Sequence, residues 1–401
     1  MRNFLLPFVL FACLTARPQV AAVQQLLDAV NADSLVWRAQ RLTGQVAVDV
    51  GSGAQTIVSR NSFQPGNALA EAWLQQEFSR MGYAPTVQAF SGNGANVLAE
   101  KPGLMHPERK VIICAHYDAM PGGTTAPGAD DDGSGVCAVL EAARVMAGQE
   151  FENTVVFALW DKEEQGMLGS AYYASAAAGN DEQITAVVNM DAIGYDGNGD
   201  GLMRIHARAV GSSIAIKDSA LVVNTTYGLD LPIAINDPGE TYSDHASFWD
   251  EGYGAILVIE DFDDDPNPHY HTPSDRLEFM DTVYWQGLTR LAIGTAAVMA
   301  VPYGSAGIGE ARAGEGPLSM GLFPNPALQR VAVRLQGMGA GPVKITVVDA
   351  TGRTVRAARF SQGAVMAGPL QVDLGGIAPG LLSIRANNGN SALVERLVLL
   401  P

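Results

Sequence analysis

Three cysteines in 401 residues cannot lay down a disulfide framework, which excludes the small stapled domain classes. Cys13 falls in the leader-like start, so Cys114 and Cys137 remain. The first sits in an apolar strand pattern and the second in a helix pattern, so both read as buried thiols, with pairing between them left open. After the first residues there is no apolar run of eighteen, so no membrane span is expected in the mature chain. Basic residues are also short: 25 against 42 acidic, a formal net charge of −17. That balance argues against nucleic acid or an anionic membrane as partner. The shortage is uneven, since residues 323–401 carry 8 basic and 3 acidic side chains while the remainder carries 17 and 39. An acidic body is therefore joined to a tail of a different kind.

The body is long enough, and at 47% hydrophobic residues apolar enough, to fill a sizeable core. Residues 1–22 read as a secretory signal peptide, with Arg2 near the start, an apolar run over 4–14, and small residues suited to cleavage after Ala16 or Ala22. A lipoprotein signal at Cys13 is disfavoured by the bulk of Phe11. Helical spacing is expected over 20–41, 67–81, around 136–146, near 213–225 and over 282–300. Strand-like runs fall at 85–90, 96–100, 111–115, 155–160, 187–190, 202–206, 232–236 and 255–259. Strands alternating with helices predict an α/β fold, a mostly parallel sheet wrapped in helices. Residues 304–322, rich in Gly, Ala and Pro, read as a linker. Short alternating strands from 323 to 401 predict a small all-β sandwich.

Hard-ligand side chains collect at strand ends. His116 and Asp118 follow VIICA, Asp161, Glu163 and Glu164 follow VVFALW, Asp191 follows VVNM, and His271 comes after AILVIE and a Pro-rich loop. Open parallel sheets bind ligands beyond the C-terminal ends of their strands. Imidazole with carboxylate suits zinc best, with manganese or cobalt as alternatives. Asp130, Asp131 and Asp132 would repel one another in a dry setting without a cation. Of adjacent Glu163 and Glu164, one can bind metal while the other accepts a proton. Asp118, two residues from His116, can orient its imidazole. His106, placed in a loop, and His206 read as structural, while Asp244, His245 and His269 read as supporting. In DGNGDG, Asp196, Asn198 and Asp200 sit at alternate positions like the opening of a calcium loop, although a tight Asx-type turn is favoured.

HYD, PGADDDGSG, DKEEQGMLGS, NMD, SDHASFW and PHYHTPSD occur in this order and resemble the zinc aminopeptidase family of the bacterial leucyl aminopeptidase type. Glutamate carboxypeptidase, glutaminyl cyclase and the transferrin receptor ectodomain are its more distant relatives. The resemblance covers roughly residues 20–303 and implies a three-layer α/β/α sandwich with a mixed, mainly parallel sheet. It further implies two Zn2+ ions bridged by Asp131, with His116 and Asp191 on one and Glu164 and His271 on the other. Glu163 would be the general base, and Tyr270 would steady the scissile carbonyl oxygen of a peptide substrate. Lys162 departs from the small or acidic residue common in the family, and strand alternation predicts that it points away from Glu163. A glutaminyl cyclase or carboxypeptidase-like member of the same scaffold, and a catalytically inactive binding protein, are the alternatives.

FPNPA, VVDATGRTVR, LGGIAPGLLSIRA and LVERLVLLP, between residues 323 and 401, resemble the C-terminal sorting domain of type IX secretion cargo. That resemblance implies a secreted or cell-surface protein that engages the type IX secretion machinery. An accessory adhesion or carbohydrate-binding sandwich is the alternative.

Overall fold

The apolar run VIICA lies at the centre of the sheet, and its alternation explains how that sheet is covered. Val111, Ile113 and Ala115 face one hydrophobic core, while Ile112 and Cys114 face another. A strand buried on both faces needs apolar side chains at every position, which is why it carries no polar alternation. The computed structural model describes residues 18–303, 319–323, 325, 327–336, 341–349, 353–388 and 392–400. It divides into two compact units, one ending at Ser305 and the other beginning at Ala306. The signal-peptide reading rests mainly on residues outside those described, as does most of the linker.

The first unit opens with α1 (Pro18–Asp28) and α2 (Ala32–Leu42), followed by the short strands β1 (Val48–Asp49) and β2 (Ala54–Gln55) and by α3 (Pro65–Arg80). The single helix expected over 20–41 is broken because Asn31 caps α2, its side chain accepting the Asp33 and Ser34 N–H groups. Then come β3 (Thr86–Phe90), β4 (Gly94–Lys101), β5 (His106–His116), α4 (Gly133–Met146), β6 (Asn153–Trp160), α5 (Leu168–Gly179) and β7 (Gln183–Met190). The unit continues with β8 (Met203–His206), α6 (Ser213–Thr226), β9 (Ile233–Asn236), α7 (His245–Asp250), β10 (Ala255–Glu260) and α8 (Thr282–Ala300). His106 opens β5 instead of sitting in a loop, beside a register shift between His106 and Lys110.

Eight strands form one sheet in the order β3-β4-β6-β5-β7-β10-β8-β9. β6, β5, β7 and β10 are mutually parallel, while β4 and β8 run antiparallel to their inner neighbours. The mixed, mainly parallel sheet expected from the sequence is thus present. Residues of α1, α2, α3, α4, α6 and α8 pack in the core on one face; α5 and α7 supply Tyr173, Ala174, Phe248 and Trp249 to the other. Away from the strand ends, Arg38 and Glu141 form a buried ion pair at 2.9 Å between α2 and α4.

The second unit is a separate body of β-strands with a short helix, α9 (Gln362–Ala367). A three-stranded antiparallel sheet holds β11 (Ser319–Phe323), β12 (Arg330–Gln336) and β15 (Leu370–Asp373). A four-stranded one holds β13 (Val343–Val348), β14 (Thr354–Phe360), β16 (Gly380–Asn387) and β17 (Ala392–Leu399). Val331, Val333, Ile345, Val347, Val372, Ile384 and Leu397 form their common core. β11 lies mostly inside the stretch read as linker: Met320 is buried, and Leu322 packs against the core despite the surrounding glycines.

His206 and His245 are buried structural side chains. The Nδ1 of His206 accepts the Glu240 N–H at 3.1 Å, so its Nε2, 3.2 Å from the Tyr242 hydroxyl, carries the proton. Burial lowers its pKa to about 4. The ordinary histidine value is about 6.5, so between the two the unfolded chain binds the extra proton and folding weakens as pH falls. Buried carboxyls such as Asp161, raised to about 6 chiefly by burial, act with the opposite sign. The informative quantity is therefore the difference between wild type and His206→Asn in urea denaturation. The wild type's advantage should shrink as pH falls from about 6.5 to about 4; an advantage independent of pH would contradict a neutral buried His206.

Candidate active site

Because β5, β6, β7 and β10 are parallel, their C-terminal ends share one edge of the sheet, and the chain leaves each of them directly into acidic or imidazole side chains, with Glu260 closing β10. His116 is the last residue of β5, Asp161 follows β6 and Asp191 follows β7. The backbone turns sharply at these exits. Lys162 (φ 60°) and Ala192 (φ 47°) take left-handed conformations, as does His271 (φ 56°). Such conformations cost L-residues of the order of 1 kcal/mol and persist where the surroundings hold them.

Two groups of side chains converge there. In the first, His116 Nε2 lies 3.3 Å from Asp131 Oδ1 and 3.7 Å from Asp191 Oδ1. In the second, His271 Nε2 lies 3.0 Å from both Asp131 Oδ2 and Glu164 Oε2. Within each group the ligand atoms lie within 4.8 Å of one another, and among the described residues these are the two groups able to hold a metal ion. Asp131 belongs to both.

The donor set fits such an ion on an observation independent of the grouping. Asp131 Oδ2, His271 Nε2 and Glu164 Oε1 are buried and make no hydrogen bond, although buried polar atoms are ordinarily paired. Six carboxylates (Asp118, Asp131, Glu163, Glu164, Asp191 and Asp244) crowd around two imidazoles, His116 and His271. Burial disfavours charge on His116, yet Glu163, Asp118, Asp131 and Asp191 outweigh it and raise its pKa well above the ordinary range. Burial likewise opposes charge on His271, and Asp131 with Glu164 carries it up to about 10. The pocket is a sink for positive charge.

Around these groups the other residues have separate contacts. Glu163 Oε2 is 3.9 Å from His116 Nε2. Its pKa is raised well above normal, first by burial and then by Asp244, Asp191 and Asp118, with His116 opposing. Asp118 lies 3.4 Å from His116 Nδ1, and its carboxylate also accepts the N–H groups of Glu163 at 3.0 Å and Glu164 at 3.3 Å. Tyr270 stacks on the His271 ring at 3.8 Å, and its phenol pKa is pushed up chiefly by burial. Lys162 does point away from Glu163, but it is buried: its ammonium donates to the Gly92 carbonyl and lies 5.7 Å over the Phe63 ring.

Two supporting histidines, His245 and His269, sit apart from this constellation. His245 Nε2 donates to the Glu240 carbonyl at 2.9 Å, and the ring packs edge-on against Trp249. Both Asp244 oxygens are buried without a hydrogen bond, and burial first of all raises its pKa to about 7. His269 stacks on Phe279 and meets the Ser274 hydroxyl. In the calcium-like loop, Asp196 accepts the N–H of Gly199 and Gly201, Asn198 that of Asp200, and Asp200 that of Leu202. Those oxygens serve turns, as the Asx alternative predicts.

The DDD triplet divides its work in a way its spacing does not reveal. Asp132 caps α4 through Gly135 and accepts the His116 N–H. Asp130 accepts from Asn267 and from the Gly194 N–H. Asp131 alone faces the histidines. Arg60, Asn267 and Asp275 hold the surrounding loops and were not singled out in sequence. Asp275 lies in the PHYHTPSD motif, whereas an isolated arginine such as Arg60 carries no signal.

Comparison with known proteins agrees with this geometry. Residues 96–297, about half the chain, match the model for Peptidase family M28, and residues 321–400 match that for a secretion system C-terminal sorting domain. A probable leucine aminopeptidase from Trichophyton verrucosum is 33% identical over 212 residues, covering 50% of this chain and 55% of that protein. The chain thus spans about half the length of the curated relatives it matches. The LapA aminopeptidase of Legionella pneumophila shares the fold at 22% identity, with a TM-score of 0.59, covering 70% of this chain and 75% of that one. A Bacteroides thetaiotaomicron glutaminyl cyclase does so at 18% identity and a TM-score of 0.54, covering 67% and 98%. On the family match and the strand-end geometry together, the chain belongs to Peptidase family M28, and it carries a type IX sorting domain that marks it as secreted or cell-surface.

Proposed function

We propose that the protein is a two-zinc exopeptidase that removes N-terminal residues from peptides, with Asp131 joining the two metal positions. The observation that carries this reading is the double role of Asp131, one oxygen beside His116 and the other beside His271. The curated relatives named leucine aminopeptidases support the choice of substrate class. His116 and Asp191 would hold one ion, and Glu164 and His271 the other.

When bound, zinc supplies Lewis acidity, polarising a carbonyl oxygen and making water a stronger acid. Glu163 accepts the proton of the attacking water and delivers it to the leaving amine. Burial, with Asp244, Asp191 and Asp118 around it, raises its pKa above the ordinary carboxyl range, so its carboxylate is a stronger base than a solvated glutamate and its acid form can return the proton afterwards. Asp118 fixes the base and the ligands together, through the two backbone N–H groups and through His116 Nδ1. Tyr270, protonated across the working pH range, donates to the oxygen of the scissile carbonyl. The free α-amino group of the substrate is drawn to the excess of carboxylates, which selects chain ends.

Glu163→Gln should retain both zinc equivalents and lose peptide hydrolysis by about 10²–10⁴-fold or more, read by metal analysis alongside turnover. Retained turnover in the metal-replete variant would remove the assignment of Glu163. Asp131→Ala should release both ions, and two equivalents still bound would reject the shared carboxylate. N-acetylated peptides should not be cleaved; release of ammonia from N-terminal glutaminyl peptides, without a free amino acid, would move the reading to a glutaminyl cyclase. Deleting residues 323–401 should block export of the chain, as seen by fractionating cells from medium.

A further inference from the structure

The segment carrying Asp131 is held from two sides by side chains outside both metal-type groups. Arg60 is completely buried. Its Nε donates to the Tyr117 carbonyl and its Nη2 to the Gly128 carbonyl, each at 2.8 Å, and its Nη1 donates to the Pro127 carbonyl. Asp275 is 2% exposed. Its carboxylate accepts the N–H of Asp130 at 3.0 Å and of Asp131 at 3.0 Å, while its backbone carbonyl accepts that of Ala129 at 3.2 Å. The turn therefore shows its carbonyls to a cation and its amides to an anion, the pairing that its peptide dipoles require.

The fit leaves no slack. Gly128 has φ 51°, and a Cβ there would run into the Asp131 carbonyl, the Ala119 side chain and Arg60 Nη2. Each charge would be costly to bury alone. Burial opposes the charge on Arg60, and Asp275 is foremost among the side chains that support it. Asp275 also binds the loop of His271, its N–H donating to the Thr272 carbonyl at 3.1 Å. Asn267 adds a second tie, donating to Asp130 at 2.7 Å.

We propose that Arg60 and Asp275 are positioning residues that clamp the backbone of residues 127–131, so that affinity for the divalent cations is set by two side chains that touch neither ion. The proposal rests on the two-metal reading above. Since Asp131 is common to both groups, loosening the clamp weakens both ions together, whereas loss of Asp191 or Glu164 would weaken one.

The test uses the full chain, stripped with a chelator and titrated with cobalt(II) alone, reading stoichiometry by dialysis and coordination by visible absorption. Asp275→Asn keeps the shape but sets an amide NH2 against the N–H groups of the turn. Arg60→Lys keeps the charge but loses the three-carbonyl fork, and it guards against loss of fold in the first variant. Each should weaken both cobalt equivalents by about 10–100-fold and shift the absorption bands, with hydrolysis largely restored at saturating metal. Glu141→Gln, which breaks the buried pair with Arg38, is the control for mere destabilisation: it should lower the denaturation midpoint at unchanged cobalt affinity. Wild-type affinity and spectrum in folded Asp275→Asn and Arg60→Lys would overturn the clamp, as would an equal loss in Glu141→Gln. A wild-type chain that binds no cobalt would instead overturn the metal reading, and the clamp with it.

Discussion

Negative charge gathered where water scarcely reaches is the constraint on which the rest of this unit depends. Asp131, Glu164, Asp191 and Asp118 stand within a few ångströms of one another around His116 and His271. Carboxylates this close in a low-dielectric setting destabilise the fold unless protons or cations compensate them. Without cations that compensation falls to protons, and the pKa values of His116 and Glu163 are both raised accordingly. The proposed pair of divalent ions would satisfy the same demand while leaving Glu163 free to accept a proton. Structure and chemistry thus place the same requirement on the site.

The parallel sheet makes that gathering affordable. Four strands whose C-terminal ends coincide, with the loops that follow them, bring together residues as far apart as His116 and His271. Cores on both faces fix the strands in register, since Val155, Phe157 and Leu159 pack on one side and Val156, Ala158 and Trp160 on the other. A slip of one residue would exchange the two sets and swing Asp161 and the following glutamates away from the edge. The left-handed turns at Lys162, Ala192 and His271 then convert strand direction into side-chain direction.

Composition and periodicity made much of this legible. Uninterrupted apolar runs announced the central strands, and the polar bursts ending them named the residues that the structure gathers, because both signals are local. What stayed hidden depends on partners distant in sequence. Arg60 meets Gly128 across 68 residues and Asp275 meets Asp131 across 144, and no spacing rule links them. Asn31 ended a helix that apolar periodicity alone would have continued, since its side chain competes for the backbone N–H groups. His245, adjacent to Asp244 in a charged motif, reads as supporting, and its ring meets the Glu240 carbonyl and Trp249, contacts that no sequence spacing marks. The residues of β11 read as linker because glycine and proline surround them, whereas Met320 and Leu322 pack on the core of the second unit and the strand pairs with β12.

The strength of the base shows how such distant contacts decide local chemistry. Lys162 is the cation nearest to Glu163 in sequence, and an ammonium turned inward would stabilise the carboxylate and weaken it as a proton acceptor. The positive φ at Lys162 sends that ammonium instead to the Gly92 carbonyl and the face of Phe63. Asp118 meanwhile takes the N–H of Glu163, so the backbone of the base is fixed while its carboxyl remains among Asp244, Asp191 and Asp118. The raised pKa of Glu163 therefore comes first from its burial and then from Asp244, Asp191 and Asp118, and under the proposed role its strength as a base depends on the segments after β5 and β7 and the start of α7 having assembled around it.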